Sequence, residues 1–408
     1  MNELQYPDAV MGELRAWFDG RGLTFNARQV ERGLATAFYA SLKREEDRAL
    51  AFSLALVGPK APPGLETRDL WHAYVFAEPK ELTPNNVAKL AATLSYEQTS
   101  IGVLPDSEEP SIWGVLHHGA SMARYARGEG DGERVGPPFL GLVCRKPGEV
   151  IVEYGRGRIL TFRSGRIVSQ GARVLDDPGP VRAALLERFA RAEPGAPEGL
   201  HLATLAAVLR AIEASGHGGA VVVLPDEDLE HLDVAKFGCS SSFSELESRV
   251  RSLGRVGGQW GELFRASLGP EPNSEVWMRL QNTTTDRSRA ERAWLDAVEF
   301  VGDLAGGDGV VVLGPTLRVV AFGATITAPP CGEVHQAADS TAEDLSPLDP
   351  KGRGHRHGSA LNLAAARPGA IVFVASQDGG ISCATQVGEH TVFWPEVLLD
   401  NVPLAEAR

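Results

Sequence analysis

The run Ala370-Ile371-Val372-Phe373-Val374-Ala375 constrains this chain more than any other stretch. It is short, β-branched and bounded by glycine, which reads as a buried strand. It ends in the polar turn Ser376-Gln377-Asp378-Gly379-Gly380. Shortly upstream, Arg353, His355, Arg356 and His357 cluster between glycines. A cationic turn beside a buried strand suits an anion such as phosphate, because Arg forks onto oxygens and Gly lets the backbone approach. The ordinary alternative is a solvated basic loop.

A second stretch favours the anion. Ala293, Trp294, Ala297, Val298, Val301 and Leu304 have helical spacing and lead into Asp308-Gly309 and the apolar run Val310 to Leu313. The pair Gly314-Pro315 follows, then Leu317 to Gly323. The order is helix, DG, strand, tight turn, strand.

These motifs together resemble the diadenylate cyclase (DAC) domain, the N-terminal domain of the DNA-integrity scanning proteins. The family carries a DGA motif opening a strand, a GTRHR motif opening a helix, and a later strand ending in a SEE-type turn. The helix 201–215 followed by His217-Gly218-Gly219 and a strand through Leu224 is similar to the family's opening helix and GALIVLG strand. The resemblance covers about residues 201–396. Within the superfamily the chain looks most like the DACNV group of sensor domains, on His217-Gly218-Gly219 and Phe322-Gly323-Ala324.

The matches are incomplete. Asp308 and Gly309 fit DGA, with Val310 in place of its alanine; Arg356 and His357 fit RHR, with Gly358 in place of the second arginine and His355 in place of the threonine. The family's next acidic residue falls among Ala364, Ala365 and Ala366, and Gln377 stands after Ser376 where the family has glutamate. The resemblance implies a nucleotide site formed by Leu224, Asp308, Gly309, Gly354, His355, Arg356, His357 and Ser376. It also implies a divalent Mg²⁺ or Mn²⁺ on Asp308 and His357, the two residues that would be catalytic in an active enzyme. With part of the charge lost, the expected function is a sensor binding an adenine nucleotide or cyclic dinucleotide. The alternatives are an active cyclase joining two ATP into cyclic di-AMP, which would face two copies across a homodimer, and a structural protein with a vestigial site. A sensor without an output domain implies a separate effector protein.

Composition narrows the partners. The chain has 408 residues, 40 Lys and Arg against 53 Asp and Glu, and a formal net charge of −13. That balance argues against a general nucleic-acid surface. Cys144, Cys239, Cys331 and Cys383 are scattered without a CxxC pair, which reads as reduced thiols in a cytoplasmic protein. The start MNELQYPDAV lacks the pattern of a signal peptide, and the apolar run Ala49 to Val57 is too short to span a membrane. A zinc site on Cys331, His335, His355 and His357 has loose spacing against finger patterns.

The expected fold class is α/β in two domains. Residues 1–192 form an α/β domain with an antiparallel meander and no assigned role. Residues 200–400 form a DAC-like mixed sheet flanked by helices, and Glu193 to Gly199 link the two. In the first domain, Val10, Leu14 and Trp17 mark a helix ending at Gly20, and a second helix runs from Ala27 to Arg48. Thr83-Pro84 opens a third. Strands are expected at Ala49 to Val57, Leu70 to Phe76, Ser100 to Leu104 and Ser111 to His117, with a meander over Phe139 to Cys144, Val150 to Tyr154 and Arg158 to Phe162. His117 and His118, adjacent on a strand, would face opposite ways. The first domain closes with Val181 to Ala192, which reads as an amphipathic helix, and the second follows the linker. Gly216 closes the helix 201–215, Gly218 to Pro225 is a strand, and two helices, Ser244 to Leu253 and Trp260 to Leu268, flank a Gly-rich break.

Overall fold

The computed structural model describes residues 10–20, 25–60, 72–95, 99–104, 110–117, 139–154, 157–163, 165–168, 171–192, 199–226, 228–234, 237, 244–268, 274–307, 309–351, 353–376 and 380–399. The chain divides into two units, Met1–Gln170 and Gly171–Arg408. Both mix helices with mixed sheets, as the patterning predicts.

The first unit opens with helices α1 (Val10–Asp19) and α2 (Ala27–Ser41). Asn26 caps α2 by accepting from the amide of Gln29. This helix stops seven residues before the predicted Arg48, because Arg44–Glu45 (β1) and Arg48–Ala49 (β2) form a ribbon that turns through Glu46 and Asp47, both at positive φ. The strands β3 (Phe52–Leu56) and β4 (His72–Glu81) follow, then α3 (Pro84–Ala91), whose N-cap Thr83 accepts from the Asn86 amide at 3.2 Å. Next come β5 (Thr99–Val103), β6 (Ser111–His117), β7 (Leu140–Cys144), β8 (Glu149–Tyr154), β9 (Gly157–Arg163) and β10 (Arg166–Val168). They form one eight-stranded sheet in the order β10-β9-β8-β7-β3-β5-β6-β4. The meander β7-β8-β9 is antiparallel as expected. Leu14, Phe18, Val30 and Leu34 from α1 and α2 pack with Phe52, Leu54, Leu142, Val152 and Phe162 of the sheet. His117 pairs across the ladder with His72, and His118 lies outside the described residues.

The second unit begins with α4 (Pro180–Ala192) and α5 (Leu200–Ser215). The expected boundary between these helices is displaced to Gln170/Gly171, and the reason is packing. Val181, Leu185 and Phe189 of α4 sit in the same core as Leu202, Leu205 and Leu209 of α5. The guanidinium of Arg188, itself buried, donates to the carbonyls of Val223 at 3.1 Å and Gly369 at 2.6 Å. The Pro/Gly stretch between the helices, most of which lies outside the described residues, therefore joins two helices of one core.

The remaining elements are β11 (Gly219–Val223), β12 (Leu232–Asp233), α6 (Glu245–Ser267), α7 (Ser274–Ala305), β13 (Val310–Leu313), β14 (Val319–Ile326), β15 (Val334–Ala337), β16 (Leu345–Leu348), α8 (His355–Ala366), β17 (Ile371–Ala375), β18 (Ile381–Val387) and β19 (His390–Trp394). Nine strands form a mixed sheet in the order β12-β14-β13-β11-β17-β18-β19-β15-β16, with β11 parallel to β13 and antiparallel to β17. Every residue of β11, β13 and β17 is buried. Alternate side chains of a strand face opposite ways, so an unbroken apolar run needs a cover on both faces. Val221, Val223, Val311, Leu313, Ile371 and Phe373 meet α4 to α7 on one face. Ala220, Val222, Val310, Val312, Val372 and Val374 meet α8 on the other.

The expected break between two short helices is absent. One 23-residue helix, α6, runs through Gly254, Gly257, Gly258 and Gly261. Glycine costs about 1 kcal/mol relative to alanine within a helix, but α6 does not stand alone. Leu246, Val250 and Leu253 enter the core, and the Trp260 indole donates to Thr284 Oγ1 of α7 at 3.0 Å. Tertiary contact outweighs the local propensity.

Candidate site at the start of helix α8

Helix α8 begins where the basic cluster stands. Its N-cap is Gly354, which has no side chain to accept from the first-turn amides, and no acidic residue lies in the first turn. The backbone carbonyl of Gly354 accepts from His357 and Gly358 at 3.0 and 3.2 Å. The amides of His355 and Arg356 thus open the helix beside three basic side chains. An uncapped helix start carries partial positive charge and outward N–H donors, the arrangement that binds oxyanions.

The β19 residue Phe393 sets the geometry of the turn. Its ring is buried, with the Arg353 guanidinium 4.5 Å from its centroid and the His357 ring edge-on at 6.0 Å. Burial pushes the pKa of Arg353 down from its ordinary value, though the guanidinium remains charged. Burial, and then the neighbouring Arg353 charge, lower the pKa of His357, so its imidazole is neutral near neutral pH. Arg356 is half-buried and His355 is exposed on the same turn.

The lowered pKa of His357 predicts how stability varies with pH. A base depressed in the folded state binds fewer protons than in the unfolded chain. The stability it contributes is present above the unfolded value of about 6.5 and is lost as pH falls through the lower folded value. The melting midpoint of His357→Gln is therefore expected to fall less than that of the unaltered chain between about pH 7.5 and 5.5. Equal losses in both proteins would contradict a buried neutral imidazole.

Three other candidates belong to the central sheet strands or their ends. Gly309 opens β13 at φ +114°, with its α-carbon against the Gly323–Ala324 backbone of β14. Ser376 ends β17 and donates its amide to the Gly380 carbonyl. Continuing the β11–β13 and β11–β17 registers places Gly309 and Ser376 at the end of the sheet where Gly219 begins β11. Leu224 lies at the opposite end of β11, fully buried, its amide donating to Leu313. Five residues at about 3.3 Å each separate it from Gly219, which makes Leu224 a core residue of the α8 face. Asp308 lies outside the described residues.

Among the described residues, no group of three or more His, Cys, Asp or Glu is placed to hold a metal ion. His335 on β15 faces His390 on β19, at 4.6 Å between ring centroids, while His355 and His357 belong to α8. His357 does not fit a divalent cation, because Arg353 and the positive helix end already face it. The turn suits an anion. Sequence reasoning missed Phe393; its place in an apolar β19 run is an ordinary core signal, and only the fold brings it under Arg353.

Comparison with known families places a match in the first unit. The family described as "Probable sensor domain DACNV" matches residues 24–117, which take in α2 to β6. The motif resemblance was drawn on residues 201–396, so the two findings concern different units. No curated protein and no solved structure matches the chain. Among the described residues, no helix is long and apolar enough to cross a membrane.

Proposed function

We propose that this chain is a sensor whose second unit holds an adenine nucleotide or cyclic dinucleotide by its phosphates at the start of α8. The match of residues 24–117 to a probable sensor domain supports the sensor class. The observation that carries the ligand class is the uncapped start of α8, with Arg353, His355, Arg356 and His357 at that start and no acidic residue in the first turn of the helix. Charge-assisted hydrogen bonds from Arg356 and the helix amides would hold phosphate oxygens without a metal. A phosphate beside His357 would oppose the Arg353 charge and raise the imidazole pKa, so binding would take up a proton.

The test is calorimetric titration with ATP, cyclic di-AMP and inorganic triphosphate, together with the melting shift each produces. A ligand that binds only the folded protein raises its melting temperature. Arg356→Ala is expected to weaken nucleotide binding about ten- to a hundredfold, the equivalent of one charge-assisted contact at about 1.5–3 kcal/mol. Absence of binding by all three would remove the proposal and leave the site vestigial.

The Asp308-Gly309 pair favours a second reading, because it directly precedes β13 as the DGA motif of the family it resembles opens a strand, and Gly309 stands at φ +114°. In that reading the chain is a diadenylate cyclase. Chromatography would decide for it if cyclic di-AMP formed from ATP and Mn²⁺ in the unaltered protein and not in Asp308→Asn.

A further inference from the structure

Two imidazoles meet near one edge of the second unit's sheet. His335 on β15 lies beside Val392 of β19 in parallel register, and alternation along β19 puts His390 on the same face as Val392. That face is opposite α8, since Val392 packs with the core of α4 to α7, whereas Cys331 packs with the core under α8. The two rings stand edge to face with centroids 4.6 Å apart. Imidazoles that share one ion at about 2.0–2.1 Å, with bond angles of about 90–115°, have centroids roughly 4.5–5.5 Å apart.

The two nitrogens of His335 differ in their surroundings. Nε2 faces the Glu333 carboxylate at 3.4 Å, which draws the ring proton to that nitrogen and leaves the lone pair on Nδ1. Nδ1 is buried, and among the described residues no hydrogen-bond donor reaches it. A buried acceptor without a partner is costly and uncommon. A carboxylate behind one nitrogen and a lone pair on the other is the arrangement of a metal-binding histidine. His390 is exposed, so its ring can turn to present a nitrogen to the same point.

The donor set selects the ion. Two neutral nitrogens without a thiolate suit a borderline divalent ion such as Zn²⁺ or Cu²⁺, whereas Ca²⁺ and Mg²⁺ take oxygen ligands. With water completing the coordination, two side chains suffice, and Glu333 stands behind them rather than on the ion.

We infer that His335 and His390 bind a borderline divalent transition ion, with Glu333 orienting His335. The inference does not depend on the ligand proposed for α8. Calorimetric titration of the full chain with Zn²⁺, without nucleotide, is expected to show a one-to-one site and a rise in melting temperature. Glu333→Gln is expected to weaken that site about tenfold, and His390→Ala, which loses a ligand rather than its support, at least about a hundredfold. Both side chains are exposed, so the circular dichroism of the two variants should match that of the unaltered chain. His72→Ala removes the facing pair His72 and His117, whose centroids are 6.1 Å apart, and should leave the affinity unchanged. A Zn²⁺ affinity that His390→Ala leaves intact, or that His72→Ala abolishes, overturns the inference. So does a chain that takes up no Zn²⁺.

Discussion

Replacing Gly309 by alanine is expected to destabilise the second unit by at least about 3 kcal/mol. Two effects act together. At φ +114° an L-residue is strained, and the added Cβ would stand 2.5 Å from the Gly323 carbonyl carbon and 2.8 Å from the Ala324 oxygen. Those neighbours are backbone atoms of β14, which is hydrogen-bonded to β13, so they cannot swing aside as a side chain would. Val310 to Leu313 lie beside β11 at the centre of the sheet, and relief would require the β13–β14 register to shift. Urea unfolding measures the loss as a lower midpoint at unchanged slope. A midpoint equal to that of the unaltered chain would mean that β13 and β14 do not approach as described. Because Gly309 adjoins Asp308, the same substitution is expected to weaken any function that depends on that aspartate.

Arg188→Met is expected to cost about 2–4 kcal/mol. Arg188 carries a buried charge, and that burial lowers its pKa to about 10 against the opposing pull of Asp226. The guanidinium is nevertheless the donor to Val223 at the end of β11 and to Gly369, which turns at φ +84° before β17. Methionine keeps much of the stem volume and removes the desolvated charge, but it leaves two buried carbonyls without that donor. Each such loss costs about 1–3 kcal/mol, more than the relief of burying one fewer charge returns when only one side of the interaction is removed. Chemical unfolding followed by the fluorescence of Trp294 and Trp394, both in this core, reports the change. A loss below about 0.5 kcal/mol, the range of an ordinary surface substitution, would show that α4 is not anchored through Arg188.

Much of the local structure was legible because it is written within a few residues. Thr83-Pro84 reads as a helix start by its own chemistry, and the antiparallel meander follows from short alternating runs between Gly turns. The runs Gly219 to Val223, Val310 to Leu313 and Ile371 to Ala375 are apolar enough that they must be buried wherever the chain goes. The candidate turn was legible in part. Arg353 to His357 stand out in an acidic sequence, and the helix they open was implied by the family resemblance.

The features that were not legible depend on residues far away in the chain. Glycines at 254, 257, 258 and 261 signal a break when read alone, and only α7 alongside makes one continuous helix of them. The strands β15 and β16 are four residues each and find their place through β19. The linker composition at 193–199 is that of a domain boundary, but Arg188 and the apolar face of α4 assign that helix to the second core. The sequence by itself determined which segments are apolar, where helices start and where the positive charge lies, since propensity, capping and charge act over one or two turns. Tertiary structure alone decided that Leu224 is buried in the core covered by α8, and that Phe393 lies beneath Arg353 and beside His357. Register and strand order, which are set by pairing across long sequence separations, brought those residues to their places.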